Sequence, residues 1–244
     1  GIDRVAAQEN RVLATIMGAR PPRAALLDAE SGDLLAELTL PGYPSQVALG
    51  PDETWAVRVS ADKPQLLHLD RALQRYEAVD IPYGDDLLYD AAGNRYVVSG
   101  WRSDESGRTA ILALDADNLT GSTSYDWKGA DLPDLFAASG TYLFGLTKYG
   151  PSRMTALDPE SLAPGASIPL RVRLTAMQLD DRSTGSGTLA TLFVADDQGS
   201  IHVLDLPAGT ERSQWSGGAP MALDASNRRL YANADGQVIA LDAE

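Results

Sequence analysis

The sequence predicts an all-β fold built from repeats, and two observations carry this prediction. A hydrophobic run ending in Leu-Asp occurs six times in the 244 residues, with its aspartates at Asp28, Asp70, Asp115, Asp158, Asp205 and Asp242. Consecutive aspartates are 42, 45, 43, 47 and 37 residues apart. Apolar residues also alternate mostly with a period of two, which is typical of strands. Four short strands in every ~40–50 residues are typical of a β-propeller blade, so we predict a single propeller domain of about six four-stranded blades.

Each repeat has the same order of elements. A short apolar strand is followed by a turn rich in Asp, Gly, Asn or Pro, and then by a second strand with aromatic and β-branched residues. A third strand ends in Leu-Asp, and a fourth strand follows another turn. The approximate repeats are residues 1–40, 41–82, 83–128, 129–170, 171–217 and 218–244.

The first three repeats show this order most clearly. The Asp28 side chain is expected to accept backbone N–H groups in the turn that follows it, and Gly32 to supply a positive φ angle. This role explains the aspartate in each copy without a ligand. The predicted strands are Ile2–Ala6, Arg11–Met17, Ala24–Leu27 and Leu34–Leu40; Gln46–Leu49, Thr54–Ser60, Leu66–Leu69 and Tyr76–Ile81; and Leu87–Tyr89, Arg95–Gly100, Thr109–Leu114 and Ser122–Trp127.

The last three repeats are less regular. In the fifth repeat, the segment from Asp180 to Gly187 is predicted to be a flexible loop because of its Ser and Gly content. The predicted strands are Leu135–Ala138, Thr141–Leu146, Met154–Leu157 and Ala166–Leu170; Arg173–Leu179, Leu189–Ala195, Ser200–Leu204 and Thr210–Trp215; and Met221–Leu223, Arg229–Ala232 and Val238–Leu241.

The last blade is predicted to be incomplete, because only 30 residues remain for the step that would close a ring from Asp242 to Asp28. Two interpretations remain open. In the first, a six-bladed ring ends in a three-stranded blade or uses Ile2–Ala6 as the outer strand of that blade. In the second, the chain is part of a larger protein, and a seventh blade or a partner completes it. Five and seven blades remain alternatives to six.

The turns carry a resemblance to known repeats. Leu27-Asp28-Ala29-Glu30-Ser31-Gly32 resembles the Asp-Ala-x-(Ser/Thr)-Gly turn of YVTN and quinoprotein-like (PQQ-like repeat) propellers, and Gly50-Pro51-Asp52-Glu53 is similar to the YVTN Ser-Pro-Asp-Gly turn. Trp127-Lys128-Gly129 and Trp215-Ser216-Gly217 resemble the blade-end Trp and Gly of quinoprotein repeats. We expect both tryptophans to pack between blades. These motifs imply blades and not an activity.

Composition limits the classes of partner. The chain carries 20 Lys and Arg against 34 Asp and Glu, a net charge of −14, so nucleic acid is not an expected partner. There is no cysteine, which removes disulfides and thiolate chemistry. The longest uncharged, mostly apolar stretch, Leu135 to Thr147, is interrupted and shorter than the ~20 residues of a membrane span. No signal peptide is visible, and the repeats suggest a bacterial periplasmic or extracellular protein, with a cytoplasmic location still open.

Few residues suggest catalysis. The two histidines, His68 and His202, each come shortly before a Leu-Asp pair, and we expect equivalent places and a shared packing role. Carboxylate pairs at Asp85-Asp86, Asp104-Glu105, Asp180-Asp181 and Asp196-Asp197 are interpreted as solvated turns, with a bound Ca²⁺ as the alternative. If the protein resembled propeller lactonases, a channel metal would need side chains near the ends of the first strands, where Gln46, Asp90, Asp134, Gln178 and Asp224 lie.

The sequence therefore favours a non-catalytic binding or protein-interaction module, with no catalytic, cofactor or metal residues assigned. The expected partner is a protein or a small ligand at a propeller face. The loops expected to carry specificity run from Arg102 to Arg108, from Tyr149 to Arg153 and from Asp180 to Gly187. The alternative is an enzyme that uses the central channel, either a metal-dependent lactonase-like hydrolase or a quinone-linked dehydrogenase.

Overall fold

The fold consists of strands almost throughout. The computed structural model describes residues 2–8, 10–84, 86–101, 109–128, 132–139, 142–147, 152–170, 173–184, 187–206, 209–224, 228–235 and 237–242. In these ranges 23 strands form six antiparallel sheets, and Pro51–Glu53 is a single 3-10 turn. No helix among the described residues has the length and apolar character needed to cross a membrane.

Two compact units divide the chain, and the first comprises Gly1–Leu132 with Glu160–Leu162. It contains three four-stranded sheets. The strands of the first sheet are β1 (Ile2–Gln8), β2 (Arg11–Ile16), β3 (Arg23–Asp28) and β4 (Leu34–Thr39). Those of the second are β5 (Tyr43–Leu49), β6 (Trp55–Ser60), β7 (Gln65–Leu69) and β8 (Tyr76–Asp80). Those of the third are β9 (Leu87–Asp90), β10 (Arg95–Trp101), β11 (Thr109–Asp115) and β12 (Gly121–Trp127).

The second unit comprises Pro133–Pro159 with Ala163–Glu244. The strands of its first sheet, the fourth of the chain, are β13 (Leu135–Ser139), β14 (Tyr142–Thr147), β15 (Arg153–Leu157) and β16 (Pro164–Pro169). The fifth sheet has β17 (Leu174–Thr184), β18 (Gly187–Asp196), β19 (Ser200–Leu206) and β20 (Thr210–Ser216). The sixth has β21 (Gly218–Asp224), β22 (Arg229–Ala234) and β23 (Gln237–Asp242), so its described part has three strands.

The order and packing of the strands make the chain a β-propeller, as the sequence predicts. In every sheet the strands follow one another in chain order, each antiparallel to the next. Within each unit, the first strands of neighbouring sheets contact one another: β1 with β5 and β5 with β9, then β13 with β17 and β17 with β21. The three-stranded sixth sheet confirms the incomplete last blade. The alternative in which residues 2–6 complete that blade is wrong, because β1 pairs with β2.

The core lies between the faces of neighbouring sheets, because the strands in the middle of the sheets bury most of their apolar residues, whereas the fourth strands are largely exposed. In the first unit, one cluster joins Leu13 of the first sheet to Trp55 and Leu67 of the second. In the second unit, Phe193 and Ile201 of the fifth sheet pack with residues of the sixth. Trp215 packs against the same cluster, and its ring lies 5.6 Å from that of Phe193. The predicted packing of this tryptophan between blades is therefore confirmed.

The turns after Leu-Asp have the predicted chemistry. Oδ1 of Asp28 accepts the N–H groups of Glu30 and Ser31 at 3.0 and 2.8 Å. Oδ1 of Asp70 and of Asp115 accepts two N–H groups in the same way. Gly32 has the expected positive φ angle of 76°. These aspartates thus have a structural role in their turns.

One of the three predicted specificity loops is wrong. The segment 180–184 belongs to β17 and pairs with 187–191 of β18. The strand continues because backbone pairing with β18 runs without interruption from Asp180–Thr191 to Thr184–Gly187, and the threonines of this hairpin favour strands. The segment 102–108 lies outside the described residues. So does 149–151, while Arg153 begins β15.

Candidate functional site

Three aromatic side chains are exposed at one edge of the second and third sheets. Tyr43, Tyr83 and Trp101 are 54%, 42% and 63% exposed, and we call them the aromatic patch. Tyr43 begins β5, Trp101 ends β10, and Tyr83 lies in the connection from β8 to β9. Because successive strands run in opposite directions, a first strand begins at the edge where a second strand ends. The sequence of strands therefore brings the three rings to the same edge.

Backbone hydrogen bonds hold the patch in place. The Tyr83 N–H donates to the Trp101 carbonyl at 2.7 Å, and the Trp101 N–H donates back to the Tyr83 carbonyl. The Tyr83 hydroxyl donates to the carbonyl of Asp62 at 3.1 Å, in the turn after β6, and Tyr43 pairs with Ser60 at the end of β6. A Cβ atom at Gly100 would overlap the Tyr83 carbonyl, so this close approach requires glycine. The rings are therefore carried by a fixed backbone.

A buried arginine supports the patch from below. Arg58 of β6 is 1% exposed, and its guanidinium donates to the carbonyls of Asp86, Pro82 and Ser99 at 2.7, 2.5 and 3.3 Å. Pro82 directly precedes Tyr83, and Ser99 lies two residues before Trp101. A buried charge is stable only when hydrogen-bonded. Arg58 therefore fixes both segments that carry the exposed rings.

The arrangement is suited to binding. Trp and Tyr offer a large apolar face and a polar atom at low entropic cost, and they are enriched in the centres of protein interfaces. The described groups beneath the rings are engaged in structural bonds: Asp86 is buried, and its Oδ1 accepts from Gln46 Nε2 at 3.4 Å. The exposed rings of the patch are thus available for contact with a partner, and the buried charged groups hold the backbone beneath them in place.

A second candidate lies in the second unit, where a cleft of about 380 Å³ opens between the fifth and sixth sheets. Asp196 lines it together with Thr175, Asn233 and Asp235. Oδ1 of Asp196 accepts the N–H groups of Gln198 and Ser200 at 2.9 and 2.8 Å, and its Oδ2 lies 3.1 Å from Nε2 of His202. This carboxylate holds the turn between β18 and β19, so its role in the cleft is structural.

Hydrogen bonding also sets the charge state of Asp196. Burial by itself would raise the pKa of the Asp196 carboxyl. The hydrogen bonds from the Ser200 N–H, His202 and the Gln198 N–H outweigh this effect, so the pKa lies below its usual value. The carboxylate is therefore ionised at neutral pH and faces the imidazole of His202. The other ring nitrogen, Nδ1, lies 3.2 Å from Oε1 of Glu211.

The predicted equivalence of the two histidines is wrong. His68 lies two residues before Asp70, whereas His202 lies three residues before Asp205. Because side chains alternate across a strand, a shift of one residue places them on opposite faces of their sheets. The ring of His68 packs edge-on against Tyr96 of the third sheet, with 5.9 Å between centroids. Burial lowers the pKa of His68.

Within each unit, the residues considered for a channel metal lie on different strands or connections. In the first unit, Gln46 bonds to Asp86, while Asp90 is paired with Arg95 at 2.9 Å at the turn between β9 and β10. In the second unit, Gln178 donates to the carbonyl of Met221 at 3.2 Å, Asp134 precedes β13, and Asp224 ends β21. Among the described residues, no three His, Asp or Glu side chains form a group suited to a metal ion.

The carboxylate pairs have mixed positions. Asp86, Asp180 and Asp196 are all buried, and Asp196 also holds its turn. Oδ1 of Asp197 accepts from the side chain of Gln198 at 3.0 Å. Asp85, Asp104 and Glu105 lie outside the described residues. The interpretation as solvated turns is therefore wrong for Asp86, Asp180 and Asp196, because their side chains are shielded from water.

Sequence reasoning missed the aromatic patch and its supporting arginine. Tyr83 fell between two predicted strands, Tyr76–Ile81 and Leu87–Tyr89, and Trp101 directly after a predicted strand. A usable signal was present, since each ring stands beside a glycine, at Gly42, Gly84 and Gly100. Nothing in the sequence distinguishes Arg58 from the other arginines, because its burial depends on the third sheet.

Comparisons with known proteins support the fold and do not identify a family or a function. No protein-family model and no curated protein matches the sequence. The dihydro-heme d1 dehydrogenase NirN, solved in complex with DHE, is similar over 96% of this chain with 18% identity and a TM-score of 0.64, and this chain spans about half (52%) of its length. The β-propeller domain of Cps50 (Swd1) from Myceliophteria thermophila is similar over 96% of this chain and 80% of its own, with 14% identity and a TM-score of 0.67.

Proposed function

We propose that this β-propeller is a non-catalytic binding module that contacts a protein partner through the aromatic patch. The exposure of Trp101, 63% on a fixed backbone, is the observation that carries the proposal. Burying an exposed Trp and two exposed Tyr rings against a partner removes apolar surface from water, which lowers the free energy of the complex. The net charge of −14 favours a partner with a basic surface and argues against nucleic acid.

Site-specific photocrosslinking tests this proposal. A photoreactive phenylalanine analogue is placed at position 101, and the matched control carries it at Tyr76, which is also an exposed aromatic of the first unit but lies on β8 away from the patch. In the source organism we expect one discrete protein adduct from position 101 and none from position 76. Trp101→Ser is expected to weaken binding of the captured partner at least about tenfold. Equal crosslinking from both positions would contradict the proposal.

The enzyme alternative is tested by metal removal. A hydrolase of the lactonase type would hold a divalent ion, and an ion that binds only the native state raises the melting temperature. We expect the melting temperature to be unchanged by EDTA and by added Ca²⁺, Mg²⁺ or Zn²⁺. A shift of several degrees with one ion would favour the hydrolase instead.

We further infer membership of the YVTN and quinoprotein-like propellers and a bacterial extracytoplasmic location. The Asp28 to Gly32 turn, with its aspartate-bonded N–H groups, supports the first inference. The second follows from the same resemblance. Cell fractionation of the source organism tests it, with recovery in the cytoplasmic fraction as the contrary result.

A further inference from the structure

The three rings of the aromatic patch form a row across the second and third sheets. Tyr83 and Trp101 pair directly through their backbones, so their side chains leave the same face of this pair. The Tyr83 hydroxyl reaches the carbonyl of Asp62 at 3.1 Å. Asp62 comes two residues after Ser60, which pairs with Tyr43. Tyr83 therefore stands between the other two rings, and the exposed aromatic surface is elongated.

The row offers hydrogen-bond donors as well as apolar surface. Among the residues that the structure describes, neither the indole N–H of Trp101 nor the hydroxyl of Tyr43 has a hydrogen-bond partner, and both side chains are exposed. A ligand that fits the row needs apolar groups for the rings and acceptors for these two donors. A helix bonds its carbonyls internally, whereas a polyproline II segment leaves every carbonyl open and presents apolar pyrrolidine rings between them.

The rigidity of the row favours a ligand that is also rigid. A Cβ atom at Gly42 would overlap the carbonyl of Ser60. A Cβ atom at Gly84 would likewise overlap the carbonyl of Ser99, so both glycines let the backbone beneath the rings pack closely. A polyproline II segment is extended before it binds, because each proline fixes its own φ angle. Little conformational entropy is therefore lost on either side when the two meet.

One negative charge lies beside the row. Asp62 is exposed, and its carboxylate has no hydrogen-bond or ion-pair partner among the described residues. The neighbouring Lys63 does not neutralise it, because the Lys63 ammonium lies 3.6 Å from the carboxylate of Asp80. The net charge of −14 acts in the same direction. A ligand with a basic residue at the Asp62 end of the row is therefore favoured.

We infer that the partner of the aromatic patch is a proline-rich segment in the polyproline II conformation with a basic residue at one end. Its pyrrolidine rings pack against the three aromatic rings, and its carbonyls accept from Trp101 Nε1 and the Tyr43 hydroxyl. Its basic residue pairs with Asp62. This inference rests on the proposed function, since it names the chemistry of the segment that the patch binds. Photocrosslinking from position 101 reports whether any protein binds there, whereas the peptides below report on this class of segment alone.

The test uses the full 244-residue chain and a fluorescently labelled oligoproline of about eight residues. The peptide carries an arginine at each end, so that either direction of binding can place one at Asp62. Fluorescence anisotropy is expected to show saturable binding, which Trp101→Ser weakens at least about tenfold. Tyr43→Ser is a second variant at the other end of the row and is also expected to bind more weakly. Tyr76→Ser, at an exposed aromatic of β8, is the matched control and is expected to bind like the wild type.

Two further comparisons test charge and conformation separately. Asp62→Asn is expected to weaken binding of the arginine-ended peptide about threefold and to leave binding of a serine-ended peptide unchanged. A peptide that keeps both arginines but has glycine and serine in place of the prolines is expected not to bind, because it is a flexible coil. The melting temperatures of all variants are expected to match the wild type, since the replaced side chains are exposed.

The outcomes separate this inference from the proposed function. No saturation up to about 1 mM oligoproline, together with a discrete adduct from position 101, would overturn the inference and leave the proposed function standing. Equal binding of oligoproline to the wild type and Trp101→Ser would also overturn it, as would equal binding of the proline and glycine-serine peptides. A linear cello-oligosaccharide that binds in a Trp101-dependent manner where oligoproline does not would assign the row to a carbohydrate and overturn both proposals.

Discussion

The two histidines of this chain stand one register position apart in equivalent strands, and their surroundings are opposite. His68 packs on Tyr96, and among the described residues its buried Nε2 has no hydrogen-bond partner. His202 lies between the carboxylates of Asp196 and Glu211, at 3.1 and 3.2 Å. A single step along a strand therefore decides whether the same side chain costs or contributes stability. His68 therefore represents packing between blades, and His202 represents polar bonding at a turn.

The largest effect is expected from Asp196, the group that anchors His202. Asp196→Ala removes the acceptor for two backbone N–H groups and for the imidazole, which leaves three part-buried donors without this partner. We expect the free energy of unfolding to fall by about 3 kcal/mol, measured by urea denaturation. Asp28→Ala is the matched control, because Asp28 accepts two N–H groups in an exposed turn and has no histidine. Equal losses in the two variants would show that burial and His202 add nothing.

The same substitution at the two histidines is expected to have opposite signs. His202→Leu removes the partner of the buried Asp196 carboxylate and should lower the free energy of unfolding by about 1–2 kcal/mol. His68→Leu replaces a buried, unpaired nitrogen with an apolar side chain beside Tyr96, and should raise it by up to about 1 kcal/mol. Thermal and urea melts of the two variants check the pair. Losses of the same size in both would mean that the two sites do not differ in kind.

The sequence predicted what depends on short range and missed what depends on neighbouring sheets. The Leu-Asp repeat defined the blades, and the aspartate turns could be predicted because Asp28 bonds to residues two and three positions away. In contrast, Leu119 and Leu162 hold positive φ angles of 55° and 59° where the first repeat has Gly32. Both leucines are buried, and the free energy of burying each side chain offsets the backbone strain. Turn chemistry alone cannot show this.

The candidate site was harder to predict for the same reason. Arg58 is an ordinary strand residue until the third sheet supplies the carbonyls of Asp86 and Ser99, which are 28 and 41 residues away in sequence. The exposure of Trp101 depends on how much of its ring the connection from β8 to β9 leaves uncovered. The equivalence of His68 and His202 failed on a single residue of register, a difference that composition and repeat length do not show.

The smallest effect expected is the pH dependence that His68 contributes. Burial lowers the pKa of His68 from its usual value of 6.5, so between that value and the native pKa the unfolded chain binds more protons than the folded chain. The stability that depends on neutral His68 is therefore fully present above pH 6.5 and is lost as the pH falls below it. Urea denaturation from about pH 8 to about pH 5 should show a slope below pH 6.5 that disappears in His68→Leu and persists in His202→Gln. The Asp196 carboxyl, with a pKa below 3.8, contributes a separate loss only in stronger acid. A slope that survives in His68→Leu would assign the proton uptake to another group and remove the contrast between the two histidines.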